Sequence, residues 1–286
     1  MSSRASATGG SFSSRMSDST PFISFPERYL GERPAKFLLL VDDPGYFAIN
    51  KPAGLACFQH DWNQGKPDIS MALRRELLNE KPQLKKLGIE GLFRAYKLDA
   101  ELSGVLLYAK KPEWEEILKN AAGSSQLTFR FHLLASSEGQ EQSLDCGLPI
   151  AFHANGKRMV ISHRTGKKCH TRFRFLRAYG SYGLWEAETH DLRPHQIRIH
   201  AAELGLKIVG ENLYARGDRI YLSQIKRDYR LSGQEESPIY DGFCLHLISV
   251  EFDIQEEELP PIQAPLPKGF QTLLKALDRH GRSMRR

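Results

Sequence analysis

Apolar and polar residues alternate through HTRFRFLRAY (170–179) and GLWEAETHD (183–191), and KRMVIS (157–162) keeps the same period ahead of them. Successive side chains of a strand point to opposite faces, so a period of two buries one face and wets the other. Three such segments in succession commit this region to half-buried antiparallel strands. The apolar runs Phe37–Val41 and Gly104–Ala109 have the length of buried strands. FLLLVDD and YFAINKPAG read as strands parted by a Pro44-Gly45 turn, and LTFRFHLLA and CLHLISVEFDI as two more.

Helical spacing is rarer. SMALRRELLNE (70–80) carries it, with Ser70 as the expected N-cap. A second helix is expected from Pro112, in the first-turn position that proline favours. RPHQIRIHAAELG reads as a third, with Pro194 in the first turn and Gly205 as C-cap. PKGFQTLLKALDRH reads as a closing helix with a basic end. Strands outnumber helices and no internal repeat is visible. The expected class is therefore α+β: a mixed, mainly antiparallel central sheet with flanking helices.

The first twenty residues are rich in Ser, Gly and Ala and cannot bury enough surface to offset their ordering entropy. The expected organisation is a disordered Ser-rich tail over 1–25, one folded domain over 26–280 with ordered structure beginning near Phe37, and a basic tail over 281–286. Arg4 and Arg15, with Asp18 as the one acid, also resemble an organellar presequence. The amphipathic stripe of a presequence is missing, which favours a cytoplasmic protein. Cys57, Cys146, Cys169 and Cys244 form no C-x-x-C pair, in keeping with reduced thiols. His190, His195 and His200 recur every five residues, a spacing that scatters them around a helix and argues against a shared metal.

No run of about 18 apolar residues exists to span a membrane. Forty Lys and Arg against 34 Asp and Glu give a net charge of +6. That permits a polyanionic partner without requiring one.

Two segments could carry chemistry. Asp99 and Glu101 sit in a short polar loop ahead of the strand Gly104–Ala109, where a carboxylate can be rigidly held yet open to a cleft. Asp99 as a plain turn cap is the competing reading. The pair does not suit glycoside hydrolysis, because two residues apart on one loop they have no reason to flank a sugar. In the second segment Arg193 and Arg198 flank His195 and Gln196 at a helix start. Cations there oppose the helix dipole. An anionic partner nearby, carboxylate or phosphate, would resolve the conflict, and a solvated basic end is the alternative.

NKPAGLACFQH (50–60), YKLDAELSGVLLYAK (96–110), RPHQIRIHAAELGLKIVGENLYA (193–215) and APLPKGF (264–270) resemble, in order and spacing, the motifs of the RluA-like pseudouridine synthases. The resemblance covers about Phe37 to Phe270. It implies the pseudouridine synthase catalytic fold over 26–280 and an isomerase that cuts N1–C1′ of a uridine within rRNA or tRNA, turns the base and rejoins it through C5. It also implies no cofactor and no metal, RNA as partner, and base flipping before reaction. A monomer is expected.

Carried over by position, Asp99 is the catalytic aspartate and Arg198 the arginine paired with it. Lys97 matches the residue that fills the space left by the flipped base, and Leu98 packs below the site. Tyr96, Phe129, His195, Gln196 and Arg193 complete the expected substrate-binding set, His195 and Gln196 by fixing the helix in the site wall. The chain also departs from the pattern. Tyr96-Lys97 stands for His-Arg, and lysine lacks arginine's planar fork. Phe129 and Phe131 occupy the strand where the family has a tyrosine. Leu102 replaces a threonine and Leu192 a glycine. These departures leave a second reading open, a catalytically impaired RNA-binding paralogue acting in ribosome or RNA assembly. The insert Tyr214–Tyr240, with Arg216, Arg219, Lys226, Arg227 and Arg230, is a candidate phosphate track or an ordinary solvated loop.

Overall fold

The alternating segments pair as strands in a computed structural model of the chain, which describes residues 21–59, 67–136, 142–154, 156, 158–227, 229–230, 235–254 and 259–280. Residues 1–20 and the basic tail 281–286 lie outside the described residues. The first half holds β1 (Phe22–Phe25), β2 (Ala35–Asp42), β3 (Tyr46–Lys51), α1 (Ile69–Leu78), α2 (Pro82–Lys85), β4 (Phe93–Arg94), β5 (Ser103–Ala109) and α3 (Pro112–Gly123). Then come β6 (Leu127–Ser136), β7 (Ser143–Cys146), β8 (Ile150–Phe152), β9 (Met159–Ile161), β10 (Thr171–Tyr179) and β11 (Tyr182–Thr189). The chain continues with α4 (Gln196–Glu203), β12 (Lys207–Ile208), α5 (Leu222–Ile225), β13 (Leu245–Phe252), β14 (Ile262–Gln263) and α6 (Lys268–His280).

The main sheet runs β1-β2-β3-β5-β13-β6-β11-β10-β7, with β4, β12 and β14 paired onto β5, β6 and β13. Its pairings are antiparallel apart from β5 with β13, where Gly104 lies opposite Leu247. This is the mixed, mainly antiparallel α+β sheet the sequence implied. The hairpin β8–β9 stands apart as a two-stranded sheet. Gly104 has φ +129°, and a Cβ there would lie 2.2 Å from the Leu247 carbonyl oxygen. Only glycine lets β13 approach so closely at the end of the Asp99 loop.

The two faces of the alternating strands differ as their pattern demands. Phe129, Phe131, Phe173 and Trp185 are buried, each worth about 1.5–3 kcal/mol relative to exposure. Outward, Arg174 meets Glu186 at 2.8 Å and Arg130 meets Glu188 and Glu251, a cross-strand ladder of opposite charges.

Three expectations need correction. Ordered structure begins before Phe37, and Phe22–Phe25, assigned to the tail, is a strand on the edge of the sheet. Ile23 and Phe25 are buried there, so even four residues find enough apolar contact to hold. The N-cap of α1 is Asp68, whose carboxylate accepts the Met71 N–H at 2.8 Å, while the Ser70 hydroxyl donates to the Cys57 carbonyl. Pro194 precedes α4 instead of opening it, and His195 is its N-cap.

Candidate active site

The loop between β4 and β5 carries Asp99, and it is clamped by the strand end and turn that follow β3. Buried Lys51 donates through Nζ to the carbonyls of Pro52, Ala100 and Leu102. The Gly54 N–H donates to Ala100 O (2.8 Å) and the Cys57 thiol to Leu98 O (3.1 Å). NKPAGLAC is therefore the cradle of the Asp99 loop, a role its local pattern did not announce. Burial pushes Lys51 down to about 8, against the opposing pull of Asp99 and Glu101.

Asp99 is half-buried at the N-terminus of α4. Its carboxylate accepts the backbone N–H of His195, at 3.3 Å to Oδ1 and 3.1 Å to Oδ2. Burial raises its pKa above the ordinary carboxylate value, and His195 and Arg198 offset only part of that. A carboxylate held by few donors and partly desolvated keeps its lone pairs available for reaction.

Asp99 opens on a small cleft lined also by Lys97, Phe131, Leu192, Arg193 and Arg198. Lys97 is exposed, its ammonium 5.1 Å from the Phe58 ring centre, while the Arg94 guanidinium stacks on that ring at 3.7 Å. Leu98 is buried, as expected. The Arg193 Nε is buried with no hydrogen-bond partner. A wider concavity of about 730 Å³, between α5 and α6, contains no residue of the three longer motifs, so size alone does not locate the chemistry.

Several expected roles change. Arg198 does not pair with Asp99. Its Nε and Nη2 bond both carboxylate oxygens of Glu211 at 2.7 and 2.9 Å, and its Nη1 lies 3.5 Å from Glu101. Sequence reading gave Glu211 no role, because a partner thirteen residues on, past the end of α4, leaves no periodic trace. Phe129 is not at the cleft: it packs edge-on against Tyr96, centroids 4.9 Å apart, and Phe131 takes the cleft position. Tyr96 is buried, and its hydroxyl donates to the Val105 carbonyl at 2.8 Å. Gln196 is buried too. Its amide nitrogen reaches His170 O, Thr171 Oγ1 and Thr189 Oγ1, and its oxygen accepts the Arg193 N–H. It pins α4 to β10 and β11 and has no donor left for a ligand. His195 Nδ1 lies 2.6 Å from the Tyr214 hydroxyl.

The model of the RNA pseudouridylate synthase family matches residues 45–203, which hold the Asp99 loop and α4. The chain belongs to that family. Among curated proteins it is 30% identical over 244 residues to ribosomal large subunit pseudouridine synthase D of Xylella fastidiosa, covering 84% of this chain and 69% of the relative. It is 25% identical over 243 residues to ribosomal large subunit pseudouridine synthase C of Escherichia coli, covering 84% and 70%. Among solved structures it resembles human RNA pseudouridylate synthase domain containing 4, with TM-score 0.60 and 20% identity, covering 84% of this chain and 92% of that one. That likeness speaks for the fold. The synthase is thus an RNA uridine isomerase of RluA-like kind. Among its described residues no helix is long and apolar enough to cross a membrane.

The basic insert fares less well as a phosphate track. Arg216 pairs with Asp218 at 3.1 Å and Arg219 with Asp241 at 2.8 Å. Residues 150–168, the β8–β9 hairpin and the turn after it, carry Lys157, Arg158, Arg164, Lys167 and Lys168 and no acid. Arg158, Arg164, Lys167 and Lys168 are exposed, as is Phe152. The hairpin rests on α4 through Ile150, Met159 and Ile199.

Proposed function

We propose that the synthase isomerises a uridine of ribosomal RNA, with Asp99 as the catalytic carboxylate and a flipped nucleotide in the cleft. The observation that carries this reading is the half-buried Asp99 carboxylate, held by the His195 N–H beside a cleft lined with Lys97, Arg193 and Arg198. The ribosomal assignment is supported by the names of the Xylella and Escherichia relatives. Within the nucleotide, N1–C1′ breaks and C5–C1′ forms, while a proton leaves C5 and N1 regains one. The changes balance, so no co-reactant is consumed. Asp99 acts on the sugar, by attack at its anomeric carbon or by taking a sugar proton, and Arg198 moderates its charge from behind. Phe131, buried beneath the cleft, forms part of its apolar floor. The hairpin over residues 150–168 and the exposed Lys97 carry the phosphate backbone alongside, since unpaired cations near the cleft gain most from counterion release.

The test is to map pseudouridines in total RNA from cells with and without the protein. A ribosomal site that vanishes without it, and returns with wild type but not with Asp99→Asn, supports the proposal. Restoration by Asp99→Asn would remove Asp99 from the chemistry, and a site confined to transfer RNA would overturn the substrate class.

A further inference from the structure

The long sheet consists of two halves joined at one seam. On one side lie β1, β2, β3 and β5, and on the other β13, β6, β11, β10 and β7. β5 meets β13 through two residue pairs, Ser103 with His246 and Gly104 with Leu247. By contrast β5 pairs with β3 all the way from Tyr46 to Lys51, and β13 pairs with β6 from Leu127 to Leu133. The backbone ladder is thus short where the halves join, and parallel pairing is slightly weaker per residue. The two halves carry opposite walls of the cleft. Lys97 and Asp99 stand on the loop that runs into β5, whereas Arg193 and Arg198 belong to the α4 segment, which Gln196 pins to β10 and β11.

A side-chain hydrogen bond spans the seam. Ser103 Oγ lies 2.8 Å from His246 Nδ1, and His246 Nε2 lies 3.2 Å from the Ala264 carbonyl oxygen. A carbonyl only accepts, so Nε2 carries the proton and Nδ1 takes the Ser103 hydroxyl. Both residues are buried. Burial pushes His246 down to about 4, with His132 adding to the shift, so the ring stays neutral and keeps this tautomer at neutral pH. The segment behind His246 is anchored on both halves: the Ala264 N–H donates to Ile248 O at 2.9 Å, and Asn50 of β3 donates to the Pro265 carbonyl at 3.0 Å. Ser103 follows directly on the turn in which the Leu102 N–H donates to Asp99 O at 3.2 Å. Burying a serine and a histidine costs desolvation that an apolar pair would not. Their hydrogen bond fixes a distance and a direction across the seam, which apolar contact does not.

We propose that His246 is a positioning residue of the isomerisation: through Ser103 it latches the β5 half of the sheet to the β13 half, and so fixes how far the Asp99 loop stands from the α4 wall of the cleft. The inference rests on Asp99 being the catalytic carboxylate. His246 and Ser103 themselves touch neither nucleotide nor reacting atoms.

The experiment measures kcat, KM and melting temperature for pure full-length wild type, Ser103→Ala, His246→Asn, His246→Leu and Asp99→Asn. The substrate is a ribosomal RNA fragment containing the target uridine, and rates are taken well below every melting point. Ser103→Ala is expected to lose about tenfold in kcat, with KM within about threefold of wild type. The two His246 variants separate a latch from packing. Asparagine sets an oxygen near the position of Nδ1 and still takes the Ser103 hydroxyl, so kcat should stay within about threefold of wild type. Leucine fills the space but leaves the hydroxyl without an acceptor, and should match the loss of Ser103→Ala. A role in packing alone makes leucine the better substitute and lowers the melting temperature with kcat unchanged.

Should His246→Leu fail to fold, the double variant Ser103→Ala/His246→Leu decides, since it leaves no unpaired hydroxyl in the seam. If His246 acts through Ser103, the double variant turns over within about threefold of Ser103→Ala alone. A further loss of about tenfold or more would overturn the inference. So would a Ser103→Ala enzyme with wild-type kcat, a loss confined to KM, or a His246→Leu enzyme at least as active as His246→Asn. If Asp99→Asn is active, the reading of Asp99 fails instead, whatever the seam variants do.

Discussion

His195 and Asp99, 96 residues apart, meet through a backbone N–H that donates to both carboxylate oxygens at 3.3 and 3.1 Å. His195 caps α4 in the left-handed region, at φ +55° and ψ 13°. A residue with a Cβ pays about 1–2 kcal/mol to stand there. What that strain secures is an anion at a helix N-terminus, where unbonded N–H groups and the dipole favour it. The cationic first turn that looked out of place along the chain thus faces two carboxylates, Asp99 at the helix start and Glu211 on Arg198.

Asp99→Asn is expected to abolish turnover while raising stability at pH 7. The folded-state pKa of Asp99 lies above its unfolded value, so its contribution favours folding in acid and is lost as the pH rises through the folded pKa. At neutral pH the ionised group is a cost, which asparagine removes while still accepting the His195 N–H. Urea midpoints at pH 7 and pH 4 check this, and the advantage of the variant should shrink at the lower pH. A variant less stable than wild type at pH 7 contradicts it.

The same shift sets the acid side of the rate profile. If Asp99 is the catalytic carboxylate, as proposed, it must be ionised, and kcat/KM should fall with an apparent pKa above the ordinary 3.8. Initial rates from pH 3.5 to 8 on an unstructured RNA fragment measure it. A limb at or below 3.8 would mean that Arg198 governs Asp99 more strongly than burial does.

Lys51 titrates the other way. Its folded pKa is depressed to about 8 from 10.5, so its contribution is fully present above 10.5 and is lost as the pH falls through 8. Wild type should gain stability relative to Lys51→Met between pH 8 and pH 10.5, by roughly 3 kcal/mol at most for so buried a group. Paired urea titrations at the two pH values read the difference, and a constant gap would show that Lys51 stays charged at no cost. Turnover of Lys51→Met should fall at every pH, because the carbonyls of Pro52, Ala100 and Leu102 lose the ammonium that ties them together.

Tyr96 and Phe131 separate core from cleft. Tyr96→Phe deletes one buried hydrogen bond, to Val105, and should cost about 1 kcal/mol of stability with kcat/KM unchanged. Phe131→Ala leaves a cavity under the cleft floor and should cost about 3–5 kcal/mol of stability, with kcat/KM falling as the floor of the cleft slackens. Steady-state kinetics on both variants would refute this assignment if their effects were reversed.

The hairpin and the insert can be compared through salt. Arg164→Gln/Lys167→Gln/Lys168→Gln should weaken RNA binding and flatten the slope of log K against log salt by about 2. Arg216→Gln/Arg219→Gln, whose charges are already paired with Asp218 and Asp241, should leave the slope near wild type. Filter binding across a salt series distinguishes them, and equal slopes for the two variants would return the insert to the RNA surface.

Local pattern was enough for much of the fold. The period of two placed β10 and β11 and proline placed the start of α3, while Gly205, at φ +76°, follows the C-cap of α4, which is Leu204. It failed at Phe22–Phe25, too short to show a period, and at the start of α1. There Asp68 caps in place of Ser70, since both are good caps and only the path of the preceding turn chooses between them.

The motif order by itself determined the family, the Asp99 loop and the α4 segment, because each is a contiguous stretch whose residue types are set by local chemistry. Which side chains touch was decided only by the tertiary structure: Lys51 with the carbonyls at 100 and 102, His195 with Asp99, and Arg198 with Glu211 in place of Asp99. These contacts join elements from different parts of the chain. A buried charge takes whichever partner the packing of the sheet and α4 brings within hydrogen-bond reach, and no spacing along the chain records that choice.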